Sequence, residues 1–130
     1  MSPHFNFKTM YRIKNKIRQI RKLIRWIPII WKDRDWDYYF VYEILKQKLI
    51  DTEAYIRKDG LHVFNEHDAD SIKTAIEMVE KVQTEYHIDK YLSEATEWTK
   101  EGMDKATKDH DKAKQELFKY LNNNIEKWWD

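Results

Sequence analysis

Nine consecutive residues, Trp31-Lys32-Asp33-Arg34-Asp35-Trp36-Asp37-Tyr38-Tyr39, bring together four aromatic rings, three carboxylates and two cations. Side chains of these types can bind a nucleotide. An aromatic face stacks on a base, a carboxylate accepts hydrogen bonds from ribose hydroxyls or an amine, and a guanidinium grips phosphate. In those roles Trp36 with Tyr38 or Tyr39 would stack, Asp37 would accept, and Arg34 would hold phosphate. The plain alternative is that Asp33 or Asp35 caps a helix and the acids pair with Lys32 or Arg34. A calcium loop is excluded. The spacing Asp33-x-Asp35-x-Asp37 opens such a loop, but its sixth position needs glycine and its twelfth glutamate, where this chain has Tyr38 and Ile44.

Three residues further along could complete the site. Lys48 is a cation flanked by Ile44, Leu45 and Leu49, and Lys73 stands similarly beside Ile72 and Ile76. Together they could hold a phosphate; singly, each is a lysine that snorkels to water. His62 lies in the only glycine-containing stretch before residue 100 and could make a polar contact in the site. His62 and His67 are five residues apart with Glu66 between them, a poor spacing for a transition metal. No metal or other cofactor is therefore expected. His110 falls on a helix seam and is expected to pack or to pair with an acid.

Catalytic patterns do not appear. The chain has no cysteine, no glycine-rich phosphate loop, no setting for a serine nucleophile and no zinc-protease motif. The favoured function is binding without chemistry, with a nucleotide hydrolase the last alternative. DNA-reading motifs are absent too, because acids and aromatics cluster where a groove-reading helix would present arginines.

These residues need a scaffold, and composition indicates which. One domain of 130 residues holds only two glycines and two prolines, too few for the turns of a sheet. The expectation is an all-α domain of four or five helices: a basic N-terminal helix, residues 1–30, followed by a small helical bundle over residues 31–130. The net charge of +1 hides an asymmetry. Residues 1–32 carry nine Lys or Arg and no acid, leaving 15 basic and 23 acidic residues on the other 98. No uncharged apolar run reaches the length of a membrane span, and cations interrupt any signal-peptide pattern. Zero cysteines suits a reducing cytoplasm.

The apolar positions Met10, Ile13, Ile17, Ile20, Ile24, Ile27 and Trp31 repeat at alternating spacings of three and four. That is the seam of a coiled coil or bundle, and its narrowness favours self-association over a membrane surface or nucleic acid. A homo-oligomer is expected. Pro28 predicts a kink or break near residues 25–30. A second helix is predicted over 36–58, ended by Gly60, with Tyr38, Val41, Leu45, Leu49, Thr52 and Ile56 as its stripe. A loop packed by Val63 and Phe64 follows. Asn65 and Asp68 would cap a third helix that ends near His87 and carries Ala69, Ile72, Ala75, Ile76, Val79, Val82 and Tyr86 at helical spacing. Residues 89–112 read as helical but polar and exposed. The last helix starts near Met103 with the seam Met103, Ala106, His110, Ala113, Leu117, Tyr120 and Asn124. Trp128 and Trp129 are expected to dock on the helix of residues 36–58 or on another copy.

The nine-residue cluster, Lys48-Leu49, the loop Gly60-Leu61-His62-Val63 and the ending Asn124-Ile125-Glu126-Lys127-Trp128-Trp129-Asp130 together resemble a family of small helical proteins scattered through tailed bacteriophage genomes. The resemblance covers residues 26–86 and 113–130. In that family a basic residue falls at the place of Lys73, and the loop often carries two adjacent histidines, the first of which is Leu61 here. Phages encode small oligomers that sequester nucleotide signals of bacterial immunity, the Sequestin and Lockin inhibitors among them. The resemblance thus implies a sponge for a cyclic ADP-ribose isomer or cyclic dinucleotide in the cytoplasm of an infected bacterium. The alternatives are a helical adaptor that inhibits a host protein, or a peripheral membrane protein that uses the basic helix.

Overall fold

The computed structural model describes residues 7–59 and 65–129. Among these the chain is all α, with α1 (Phe7–Lys32), α2 (Tyr38–Asp59), α3 (Asn65–Gln83), α4 (Tyr86–Glu94) and α5 (Lys100–Asn124), then a single 3-10 turn, Lys127–Trp129. The scarcity of glycine and proline predicts this class. The chain divides into two compact units, Met1–Phe40 and Val41–Asp130.

The first unit is dominated by α1. No residue of this helix is buried, and Ile13, Ile17, Ile20, Ile24, Ile27 and Ile30 are exposed. Pro28 lies inside the helix, which continues to Lys32, so the expected break does not occur. Proline deprives only the Ile24 carbonyl of its amide partner, and on an exposed helix water can satisfy that group. The loss also falls in the last turns, where few hydrogen bonds remain to be disrupted.

The second unit holds the core. Leu49 and Ile56 of α2 meet Ala69, Ile72, Ala75, Val79 and Val82 of α3, with Leu117 and Leu121 of α5 and Trp128. α2 and α3 run antiparallel: Arg57 Nη2 donates to Asp70 Oδ1 at 2.7 Å near one end, and Gln83 Nε2 donates to Glu43 Oε2 near the other. Of the predicted α3 stripe, Ala69, Ile72, Ala75, Val79 and Val82 are buried and Ile76 partly so, whereas Tyr86 is exposed and belongs to the next helix. The α2 stripe is displaced near its start, because Tyr42 packs on the core while Tyr38 and Val41 are exposed.

The third helix stops at Gln83, before the expected His87. Glu85 takes a left-handed conformation (φ 53°), which no helix can continue through, and its carbonyl accepts the amides of Ile88 and Asp89 to start α4. α4 buries nothing, as its polar sequence suggests, yet it is tied to α5. Tyr91 Oη accepts from the Thr99 amide (2.8 Å) and donates to the Thr99 carbonyl (3.2 Å). The Thr99 side chain in turn caps α5 by accepting from Gly102 N at 3.0 Å. A side chain at Gly102 would collide with the Tyr91 ring, so this close approach requires glycine.

Trp128 is 3% exposed. Its Nε1 donates to Ser71 Oγ at 3.0 Å, and Tyr120 Oη lies 2.9 Å from the same oxygen while donating to the Ser71 carbonyl. The chain's end is therefore fastened to α3 as well as joining the cluster that contains Leu49 and Ile56 of α2. The Trp129 side chain, the Asn65 cap and the Gly60, Val63 and Phe64 predictions lie outside the described residues.

Candidate functional site

The segment between α1 and α2 is built by its own short-range hydrogen bonds. Asp33 N donates to the Ile30 carbonyl (3.2 Å) and closes α1. Asp37 N then donates to the Arg34 carbonyl (3.0 Å), folding Arg34-Asp35-Trp36-Asp37 into a turn. Asp37 begins α2: its Oδ1 accepts from Tyr39 N at 3.0 Å and its carbonyl accepts from Phe40 N at 3.1 Å. The cap is thus Asp37 and not Asp33 or Asp35. Only Asp37 stands immediately before the first helical residue, where its carboxylate reaches the exposed amides and meets the positive end of the helix dipole.

This turn sets the aromatic rings at the surface. Trp36 is 80% exposed, and the Arg34 guanidinium carbon lies 5.7 Å from its ring centroid, within the range of a cation–π contact. Tyr38 is exposed, and Tyr39 is held edge-to-face against Phe40 with centroids 5.3 Å apart. An indole face with a guanidinium beside it offers stacking and positive charge to one planar anionic group.

Five of the predicted site residues, Arg34, Trp36, Asp37, Tyr38 and Tyr39, therefore occupy one short segment of the first unit. Asp37 spends one carboxylate oxygen on the cap. Lys48 and Lys73 belong to the second unit and are exposed. The α2–α3 register sets them on different levels, about 9 Å apart along the helices, given that Arg57 faces Asp70. His62 lies outside the described residues. His110 is half-buried on the α5 seam with its Nδ1 buried and without a hydrogen-bond partner, in line with packing and not with acid pairing at that atom.

No group of three or more His, Asp or Glu among the described residues is placed to hold a metal ion. The polar features that sequence reasoning missed are Ser71, which joins Tyr120 and Trp128, and the Tyr91–Thr99 clamp. Ser71 carries one local signal, a hydroxyl beside the buried Ile72. Its partners 49 and 57 residues away carry none.

No family model, curated protein or solved structure matches the chain.

Proposed function

We propose that the protein is a non-catalytic binder of a small nucleotide-derived ligand, which it holds and releases unchanged. The observation that carries this reading is the exposed Arg34–Trp36 pair at 5.7 Å, flanked by Tyr38 and Tyr39 on a turn fixed by Asp37. A base stacks on the indole or a tyrosine, and the guanidinium neutralises an adjacent phosphate. Stacking contributes about 1–3 kcal/mol per base, and a charge-assisted contact adds a similar amount. The resemblance to bacteriophage proteins supports a setting in the cytoplasm of an infected bacterium. It also supports a ligand class there, the cyclic ADP-ribose isomers or cyclic dinucleotides that signal immunity.

Calorimetric titration of the full chain with these nucleotides tests the reading. Trp36→Ala weakens binding by about five- to 150-fold, the equivalent of one lost stack. Arg34→Gln weakens binding in a salt-dependent way, and Asp35→Asn leaves it unchanged. Equal affinity in wild type and Trp36→Ala, or binding of a host protein in place of any nucleotide, overturns the assignment.

A further inference from the structure

α1 carries more uncovered apolar surface than the body-facing helices, and its charge pattern says what can cover it. At about 100° per residue, Ile20, Leu23, Ile24, Ile27, Ile30 and Trp31 span an arc of about 120° with no cation inside it. All six are exposed, Trp31 to 87%. The face is therefore broader over this half than the seven-position seam alone suggests. Lys14, Arg21 and Lys32 border one edge, and Arg12 and Lys16 lie on the N-terminal continuation of the same face, before Ile20.

A second copy of α1 fits this face poorly. With Met10, Ile17 and Ile24 at the a positions of a heptad, Lys14 and Arg21 fall at e and Lys16 at g. A parallel pair sets Lys16 against Arg21 of the partner helix, and an antiparallel pair sets Lys14 near Arg21. The helix offers no acid in either case, since residues 1–32 contain none. An anionic surface receives every one of these charges favourably. Lysines and arginines at the edges of an apolar arc can bury their stems and lift their heads to lipid phosphates. No helix of the described residues is long and apolar enough to cross a membrane, so the helix would lie in the interfacial plane.

We propose that α1 docks on an anionic phospholipid surface, with the Ile20–Trp31 face in the headgroup–acyl boundary and the bordering cations on lipid phosphates. This docking does not depend on the nucleotide reading, since it uses neither Arg34 nor Trp36.

Flotation of the full chain with phosphatidylcholine vesicles containing about one third phosphatidylserine tests it. The wild type is expected to float with these vesicles and to stay behind with phosphatidylcholine alone. Leu23→Glu with Ile27→Glu abolishes flotation. The triple change Lys14→Gln, Lys16→Gln and Arg21→Gln weakens it by on the order of a hundredfold. None of these residues is buried, so the melting transition of the body stays in place and certifies that each variant is folded. Failure of the wild type to float overturns the proposal, whether sedimentation then shows a dimer that the Glu variant dissociates or a monomer. So does flotation that survives the Glu substitutions.

Discussion

Trp128 is the residue whose removal should cost the fold most. Its ring is almost wholly buried in the cluster of Leu49, Ile72, Val79 and Leu117, and its Nε1 bonds Ser71. Truncating a buried tryptophan to alanine typically costs about 3–5 kcal/mol from lost transfer energy and an incompletely collapsed cavity. The lost hydrogen bond adds less, about 0.5–1.5 kcal/mol, because the Ser71 hydroxyl keeps Tyr120 as partner. Trp128→Ala should therefore lose about 4 kcal/mol of the roughly 5–15 available to a domain. Trp128→Phe keeps most of the ring and should lose only about 1–2 kcal/mol. With a urea slope near 2 kcal/mol per molar, the alanine variant's midpoint falls by about 2 M. Urea titration followed by circular dichroism reads both. A loss under about 1 kcal/mol for Trp128→Ala would mean that the chain's end does not pack on α3, and the reasoning fails.

Other substitutions probe the remaining joints. Gly102→Ala pushes the Tyr91 ring off the Thr99 backbone and should lower stability by about 1–3 kcal/mol; adding Tyr91→Phe to it should cost less than the sum of the two single changes, as thermal melts can establish. Asp37→Ala removes the α2 cap and should cost about 0.5–2 kcal/mol, whereas Asp37→Asn, which still caps, should cost little by the same melts. Asp70→Asn removes the surface ion pair with Arg57 and should leave the melting temperature nearly unchanged at physiological salt, where exposed pairs contribute little.

How much of this was legible depended on the range of the forces involved. The α3 stripe from Ala69 to Val82 and the α5 seam through Ala106, Ala113 and Leu117 follow from apolar periodicity alone, since each helix must bury one face. Periodicity misplaced the start of α2, because Val41 and Tyr42 are both compatible with the repeat and only packing against the rest of the core selects Tyr42. Pro28 does not break the helix, for a different reason. A proline's local penalty is a few kcal/mol, and 26 residues of otherwise consistent helical sequence outweigh it. The halt at Gln83 rests on a left-handed glutamate, a conformation that residue type does not advertise. At the candidate site the residue types were readable because Arg34 to Tyr39 are neighbours in the chain, but the Arg34–Asp37 turn, which moves the cap from Asp33 or Asp35 to Asp37, was not. Trp128 was expected to dock on the helix of residues 36–58, and its anchor is instead Ser71 of α3, because hydrogen bonds across 57 residues leave no local trace.

The central claim is that this chain holds a nucleotide without changing it. The direct measurement incubates the full chain with cyclic ADP-ribose isomers and cyclic dinucleotides, removes free ligand by filtration, denatures the retained protein by heat and identifies what is released. Under the proposed function one of these nucleotides is retained by the wild type, is released chemically intact, and is not retained by Trp36→Ala. Release of a cleaved product would make the protein an enzyme, and retention of none of them would return Arg34, Trp36, Tyr38 and Tyr39 to the role of a capped and solvated turn.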